Sequence, residues 1–130
     1  MIVVDASALI EVLLRTPAAE VIGRQLFSGR HTLHAPHLID IEVAQVVRRY
    51  AMAGQVDTDR GRAMLVDLAV FPLWRHPHDV LLPRVWELRN NLSAYDAVYL
   101  ALAEALDASL LTHDQRLATA TRRHSWVQIL

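Results

Sequence analysis

Short apolar runs alternate with stretches of helical rhythm along this chain, and that alternation constrains its fold more than any other feature. Residues 2–5 (IVVD) read as a buried strand, followed by a helix through ALIEVLLR. A second strand is expected near residues 32–35, then a helix over 37–53 closed by Gly54. Thr58 or Asp59 is placed to cap a third helix through RAMLVDLAV, residues 71–75 form a weaker strand, and 80–89 a further helix. After an apolar helix over 92–106, SLLT (109–112) and the C-terminal WVQIL supply the last two strands, with a short helix between them. Such alternation builds a parallel sheet covered by helices on both faces. Ligands of such sheets gather outside the carboxyl ends of the strands, so acids that follow strands carry the most information.

One domain over residues 1–130 suits this length, and 53% hydrophobic residues are ample for a buried core. MIVVD reaches an acid at its fifth residue without a basic start, and no apolar run approaches the ~18 residues that span a bilayer. No secretory leader is therefore expected, and the expected location is the cytoplasm. A formal net charge of −1 gives no global basic footprint for nucleic acid. All thirteen basic residues are Arg. Without Lys there is no phosphate-binding P-loop and no Schiff-base chemistry. Without Cys there are no disulfides and no thiolate metal sites.

The stretch LSAYDAVYLALAEAL, residues 92–106, raises the chemical question. Tyr95, Val98, Tyr99, Leu102 and Leu106 recur at helical spacing and are expected to face the core, with Glu104 on the open polar side. Asp96 falls at the edge of that stripe, where an unpartnered buried carboxylate costs several kcal/mol. Ser93 followed three residues later by Asp96 resembles a capping box, so a structural role accounts for Asp96 taken alone. A functional role requires other acids in the same place. Glu42, in HLIDIEVAQVV, borders the stripe of Ile39, Val43, Val46 and Tyr50 in the same manner. Asp5 ends the first strand in VVDAS, and Asp114 follows the fourth in LLTHD. Both emerge at one edge of a parallel sheet if their strands are neighbours, and Glu42, early in a helix that follows a strand, reaches the same mouth. Asp96 follows a helix, so its placement rests on packing.

Four carboxylates within ~5–6 Å of one another repel by about 3 kcal/mol per close pair at an effective dielectric of ~20. Such a cluster holds either protons or a cation at neutral pH. Ligation by oxygen alone points to Mg²⁺ or Mn²⁺, and the chemistry that suits it is metal-assisted attack of water on a phosphodiester.

Three stretches, taken in order, resemble those of PIN-domain ribonucleases, and specifically the VapC toxins of bacterial toxin–antitoxin pairs. They are MIVVDASALIEVLL, APHLIDIEVAQVVRR, and LSAYDAVYLALAEAL running on to SLLTHDQRLA. The resemblance covers essentially the whole chain and implies a PIN-like three-layer α/β/α fold around a parallel sheet of four to five strands. Matched residue by residue, it implies metal-site acids at Asp5, Glu42, Asp96 and Asp114, with none of the four replaced. Ser7 matches a small hydroxyl near the first acid and Thr112 the hydroxyl before the last. On this reading Asp5 and Asp96 are direct ligands of Mg²⁺, with Mn²⁺ as a substitute, and Glu42 and Asp114 act through water or a second ion. The resemblance further implies an endoribonuclease acting on RNA, a homodimer, and a VapB-type antitoxin whose tail blocks the cleft.

Two rival readings use the same residues. One is a nuclease-inactive PIN-fold interaction module, against which the intact acid quartet speaks. The other is a metal-dependent phosphoesterase acting on another nucleic acid, against which the shortness of the chain speaks. Asp40 lies two positions from Glu42, about 160° away around a helix, and is expected to be structural. His31, His34 and His37 recur every three residues but span a strand and a loop, which does not make a zinc site. Trp74, Trp86 and Trp126 are expected in the core. The pairs Arg48 and Arg49, Arg60 and Arg62, Arg84 and Arg89, and Arg122 and Arg123 are expected on solvated faces, from which some reach RNA phosphates.

Overall fold

The computed structural model describes every residue from Met1 to Leu130. Its four strands are β1 (Ile2–Val4), β2 (Leu33–Pro36), β3 (Leu73–His76) and β4 (Ser109–Leu111). They form one parallel sheet in the order β3-β2-β1-β4, with Ile2 in register with both Leu33 and Ser109. The helices are α1 (Ala6–Leu14), α2 (Ala19–Phe27), α3 (Leu38–Met52), α4 (Thr58–Val70), α5 (Leu82–Glu87), α6 (Ala94–Leu106) and α7 (Gln115–His124). None is long and apolar enough to cross a membrane.

Successive strand residues point to opposite faces. Ile2, Val3 and Val4 are all buried, so helices cover both sides of β1 and the architecture has three layers. The α6 helix packs on β1 and β2 with α5 against it, while α1 packs on α2, α3 and α4. The edge strand β3 is less protected, and Trp74 stands 65% exposed on it. From β1 the chain moves outward to β2 and β3, then crosses to the far side of β1 to place β4. The connections therefore diverge at the carboxyl ends of β1 and β4, which opens a crevice there.

Several expectations from the sequence are corrected. Helix α2 has no counterpart in the sequence reading, because Gly23 lowers its helical propensity and only Ile22 and Leu26 of its residues are buried, too narrow a stripe to register as a helical pattern. Asp57, rather than Thr58 or Asp59, caps α4, its carboxylate accepting the Arg60 N–H at 2.7 Å. The helix expected over 80–89 is a single 3-10 turn, Asp79–Leu81, running into the short α5. WVQIL does not form a fifth strand. It contributes one isolated bridge, Leu110 with Ile129, made by hydrogen bonds from Leu110 N to Gln128 O and from Leu130 N to Leu110 O.

Trp74, Trp86 and Trp126 are exposed rather than in the core, and Arg89 stacks on the Trp86 ring at 4.6 Å. Glu104 does not face open solvent. Arg84 donates to both its carboxylate oxygens, at 2.8 and 3.1 Å, and Ser125 Oγ donates at 2.7 Å, which pins α5 and the C-terminal segment to α6. These donors hold the Glu104 carboxyl below its ordinary range despite the opposing effect of burial. Asp40 has the structural role expected of it, taking Arg75 Nε on both oxygens at 3.0 and 2.9 Å, while Arg75 Nη2 caps the Leu68 carbonyl. His34 is buried between His76 and Thr32, at 2.8 and 2.7 Å.

Candidate active site

The crevice outside β1 and β4 is a cleft of about 660 Å³ whose lining includes Asp5, Glu42, Asp96 and Asp114. Each arrives on a different element. Asp5 directly follows β1 and caps α1, so it is fixed by the sheet on one side and a helix on the other. Glu42 lies one turn into α3, which starts where β2 ends. Asp114 follows β4 and caps α7 by accepting the Arg116 N–H at 2.8 Å. Asp96 sits in the first turn of α6, whose N-terminus packing brings to the same mouth.

Asp5 is the most tightly held. It is only 4% exposed, and its Oδ1 accepts Ser7 Oγ at 2.8 Å and the Ala8 N–H at 3.1 Å. Its Oδ2 accepts Thr112 Oγ1 at 2.7 Å. Ser7 also accepts the His113 N–H, and Thr112 accepts the Asp114 N–H, so the two hydroxyls tie the loop after β4 to the end of β1. Thr112 does not line the cleft; it acts through Asp5. Burial pushes the Asp5 carboxyl up, its three donors pull it down, and the charge of Asp96 adds to the rise.

The capping box read from the sequence is half formed. Ser93 Oγ accepts the Asp96 N–H at 3.2 Å and supports the helix, while the Asp96 carboxylate lines the cleft. Burial raises the Asp96 pKa, the charge of Asp114 adds to it, and Arg116 opposes both. Glu42 is likewise raised by burial, with smaller additions from Asp96 and Asp5.

Two residues of α6 depart from their expected roles. Tyr95 is 63% exposed and lines the cleft rather than the core. Tyr99 is buried as expected, but its hydroxyl donates to Glu42 Oε1 at 2.5 Å and so joins α6 to α3. Burial and the facing carboxylate push the Tyr99 pKa well up, which keeps it a donor. The signal for this role was the phenol itself, since a buried Tyr hydroxyl requires a partner. Gln45 and Arg49 also line the cleft and were not singled out together with Glu42, although they follow it at i+3 and i+7 on one helix face.

No three His, Asp or Glu side chains are grouped closely enough to share one metal ion as they stand. Asp5 and Glu42 instead turn oxygens toward hydroxyl donors. The donor set still fits a hard cation. It consists of oxygen alone, and Asp5, Glu42 and Asp96 are desolvated and mutually destabilised as anions. Mg²⁺ keeps several waters and uses one or two carboxylates, which suits a loose set better than a closed cage would.

A family model described as PIN domain matches residues 2–122. Ribonuclease VapC9 of Mycobacterium tuberculosis is 46% identical over 118 residues, covering 91% of this chain and 89% of that protein. Among solved structures, Mycobacterium tuberculosis VapC20, described as a Sarcin-Ricin loop cleaving toxin, superposes with a TM-score of 0.73. It is 14% identical, and the match covers 92% of this chain and 95% of that one. VapBC2 from Rickettsia felis, solved bound to a DNA fragment from its promoter, gives a TM-score of 0.72 at 14% identity over 100% and 98% of the two chains. At these identities the two structures bear on the fold alone. The family match across most of the chain and the identity to VapC9 place this protein in the PIN-domain family, alongside its VapC members.

Proposed function

We propose that this chain is a metal-dependent endoribonuclease, the toxin of a toxin–antitoxin pair, with residues 1–130 serving as a single PIN domain. One observation carries the reading: Asp5, Glu42, Asp96 and Asp114, far apart in sequence, line one cleft outside the carboxyl ends of β1 and β4. The ribonuclease name of its relative VapC9 points the same way.

Asp5 and Asp96 would hold Mg²⁺ directly, and Glu42 and Asp114 through water or at a second ion, with Mn²⁺ as a substitute. A bound divalent ion supplies positive charge against the scissile phosphate and acidifies water beside it. The chain's own residues do the rest. Ser7 and Thr112 fix the Asp5 carboxylate in one orientation. Tyr99 occupies Glu42 Oε1, which leaves Oε2 to take a proton from the attacking water. Burial makes Glu42 a better proton acceptor than an exposed carboxylate. Arg49 is the one cation among the residues lining the cleft and meets the substrate's phosphate charge.

The chain is read as a cytoplasmic homodimer restrained by a VapB-type antitoxin. A cleft with four carboxylates attracts a cationic tail, and an Arg pairs bidentately with such acids. Ile41 and Tyr95, 70% and 63% exposed at the rim, offer apolar footing for the segment that carries it. The test is cleavage of total RNA by the purified protein, with 5′ ends mapped in cells after induction. Cleavage is expected with Mg²⁺ or Mn²⁺ and not in chelator. Undiminished cleavage in chelator by nuclease-free protein contradicts the metal role, and no cleavage with either ion removes the ribonuclease reading.

A further inference from the structure

Beside the acid cleft lies a second concavity of about 450 Å³, between the loop before α6 and one face of α7. Its lining differs in kind from the cleft's. Arg116, Arg123 and His124 supply cationic or titratable groups, Asn90, Asn91 and Thr119 supply neutral hydrogen-bonding groups, and no carboxylate takes part. Arg116, Thr119 and Arg123 recur at i, i+3 and i+7, so they share one face of α7. All three are exposed. No side chain of the protein pairs with Arg116 or Arg123, although Arg24, Arg62, Arg75 and Arg84 all have carboxylate partners. In a chain of net charge −1, two unpaired guanidinium groups on an acid-free face are a local reversal of sign. Arg116 is also near enough to Asp96 to act on it electrostatically, so the face adjoins the acid cleft.

We propose that this face of α7 binds the phosphodiester backbone of the RNA strand as it leaves the acid cleft, with Arg116 and Arg123 contacting phosphates and Asn90 and Asn91 hydrogen-bonding to phosphate or ribose oxygens. The inference rests on the ribonuclease reading above. Arg116 and Arg123 are seven residues apart, about 10 Å along the helix. At ~3.4 Å per nucleotide of a stacked strand, the face covers about three nucleotides. Against four acids the cleft sets Arg49 alone, and an adjacent cationic track offsets the remaining repulsion from outside the acids.

The experiment measures binding of a fluorescein-labelled single-stranded RNA of mixed sequence, by anisotropy in chelator, over a series of salt concentrations. The wild type is compared with Arg116→Gln/Arg123→Gln. Arg24→Gln/Arg62→Gln controls for net charge, and Arg116→Lys/Arg123→Lys retains the charge. Each phosphate contact on a single strand contributes ~0.7 to the slope of log K against log salt. The Gln pair on α7 should therefore lower the slope by about 1.4 and weaken binding on the order of 50-fold at 50 mM salt. The distant Gln pair should do neither, and the Lys pair should keep the wild-type slope. Melting temperatures within a degree or two of wild type show that the variants fold; if the Gln pair does not, Arg116→Gln and Arg123→Gln made singly keep the test decisive, each lowering the slope by about 0.7. A parallel cleavage assay of the wild type separates the two levels of inference. Cleavage together with equal slopes for both Gln pairs overturns the α7 track alone. A wild type that neither binds nor cuts RNA overturns the track together with the ribonuclease reading.

Discussion

Tyr99→Phe is the most informative single change, because it removes one oxygen and leaves the ring in place. Tyr99 is 1% exposed and donates at 2.5 Å to Glu42. A hydrogen bond to an ionised group contributes about 1.5–3 kcal/mol. Glu42 opens onto the cleft, so water replaces part of the lost bond and the low end, about 1.5 kcal/mol, applies. The bond favours ionised Glu42, whose pKa burial has already raised; without it the pKa rises further. One pH unit corresponds to about 1.4 kcal/mol, so the acid limb of the pH–rate profile should move upward by about one unit. At a pH on that limb, cleavage should be about tenfold slower. The lost bond stabilised only the ionised carboxylate. The destabilisation is largest where Glu42 is ionised in the folded wild type and shrinks toward pH 4, where it is protonated. Calorimetry at pH 8 should show melting lowered by about 5 °C for a chain of this size. An unmoved acid limb, with kcat and melting as in the wild type, would refute the assignment of Tyr99 to Glu42 and the proton-accepting role built on it.

Asp96→Asn should abolish RNA cleavage with the fold intact. The folded Asp96 pKa is raised, so its ionised form costs stability above the ordinary value of 3.8. The metal-free variant should therefore melt at or above the wild-type temperature at pH 8, with the gap closing toward pH 4; lower melting at pH 8 would contradict this. Mg²⁺ should raise wild-type melting more at pH 8 than at pH 5, because protons compete for the raised carboxyls, and a pH-independent increment would speak against the acids as ligands. Asp40→Asn should leave cleavage close to wild type and cost about 1 kcal/mol in denaturant titration, since Asp40 is part-exposed and serves Arg75. If Asp40 proves essential and Asp96 dispensable, the acids have been misassigned. Expression alone should arrest bacterial growth, and co-expression of the adjacent gene's product should restore it. Asp96→Asn should be harmless yet still capture that partner in a pull-down; full growth with soluble, metal-replete, partner-free wild type would count against the toxin reading.

The parallel sheet was readable because its strands are continuous apolar runs, as in IVV and SLL, and because a parallel sheet places the residues after its strands on one edge. Asp5, Glu42 and Asp114 could be located on that logic alone. Asp96 could not: its place at the edge of an apolar stripe marks it out, but its position depends on how α6 packs on β1 and β2, and the family motif supplied what the stripe did not. Helical spacing also said nothing of where the core ends. Tyr95 continues the stripe of Val98 and Tyr99 yet sits at the first turn, where it is exposed and borders the cleft. The tryptophans lie outside the core for a related reason. Hydrophobic size predicts average burial, and Trp74 lies on an edge strand with one side uncovered. The second half of WVQIL reaches β4 only through Leu110, a partnership between distant segments that no local pattern encodes.

The pairing of the first strand with the last has a consequence for synthesis on the ribosome. Asp5 is held by Thr112, 107 residues further along, and Glu42 by Tyr99, 57 residues further along. Until β4 has emerged, Asp5 lacks one of its hydroxyl donors, and β1 has only one of its two neighbouring strands. At translation rates of about 5–20 residues per second, roughly 5–20 s separate the polymerisation of Asp5 from that of Thr112. A chain that stops short of β4 thus carries Asp5, Glu42 and Asp96 without Asp114 and without the assembled centre. On the proposed reading, competence to cut therefore arrives late, only once the last strand has joined the first.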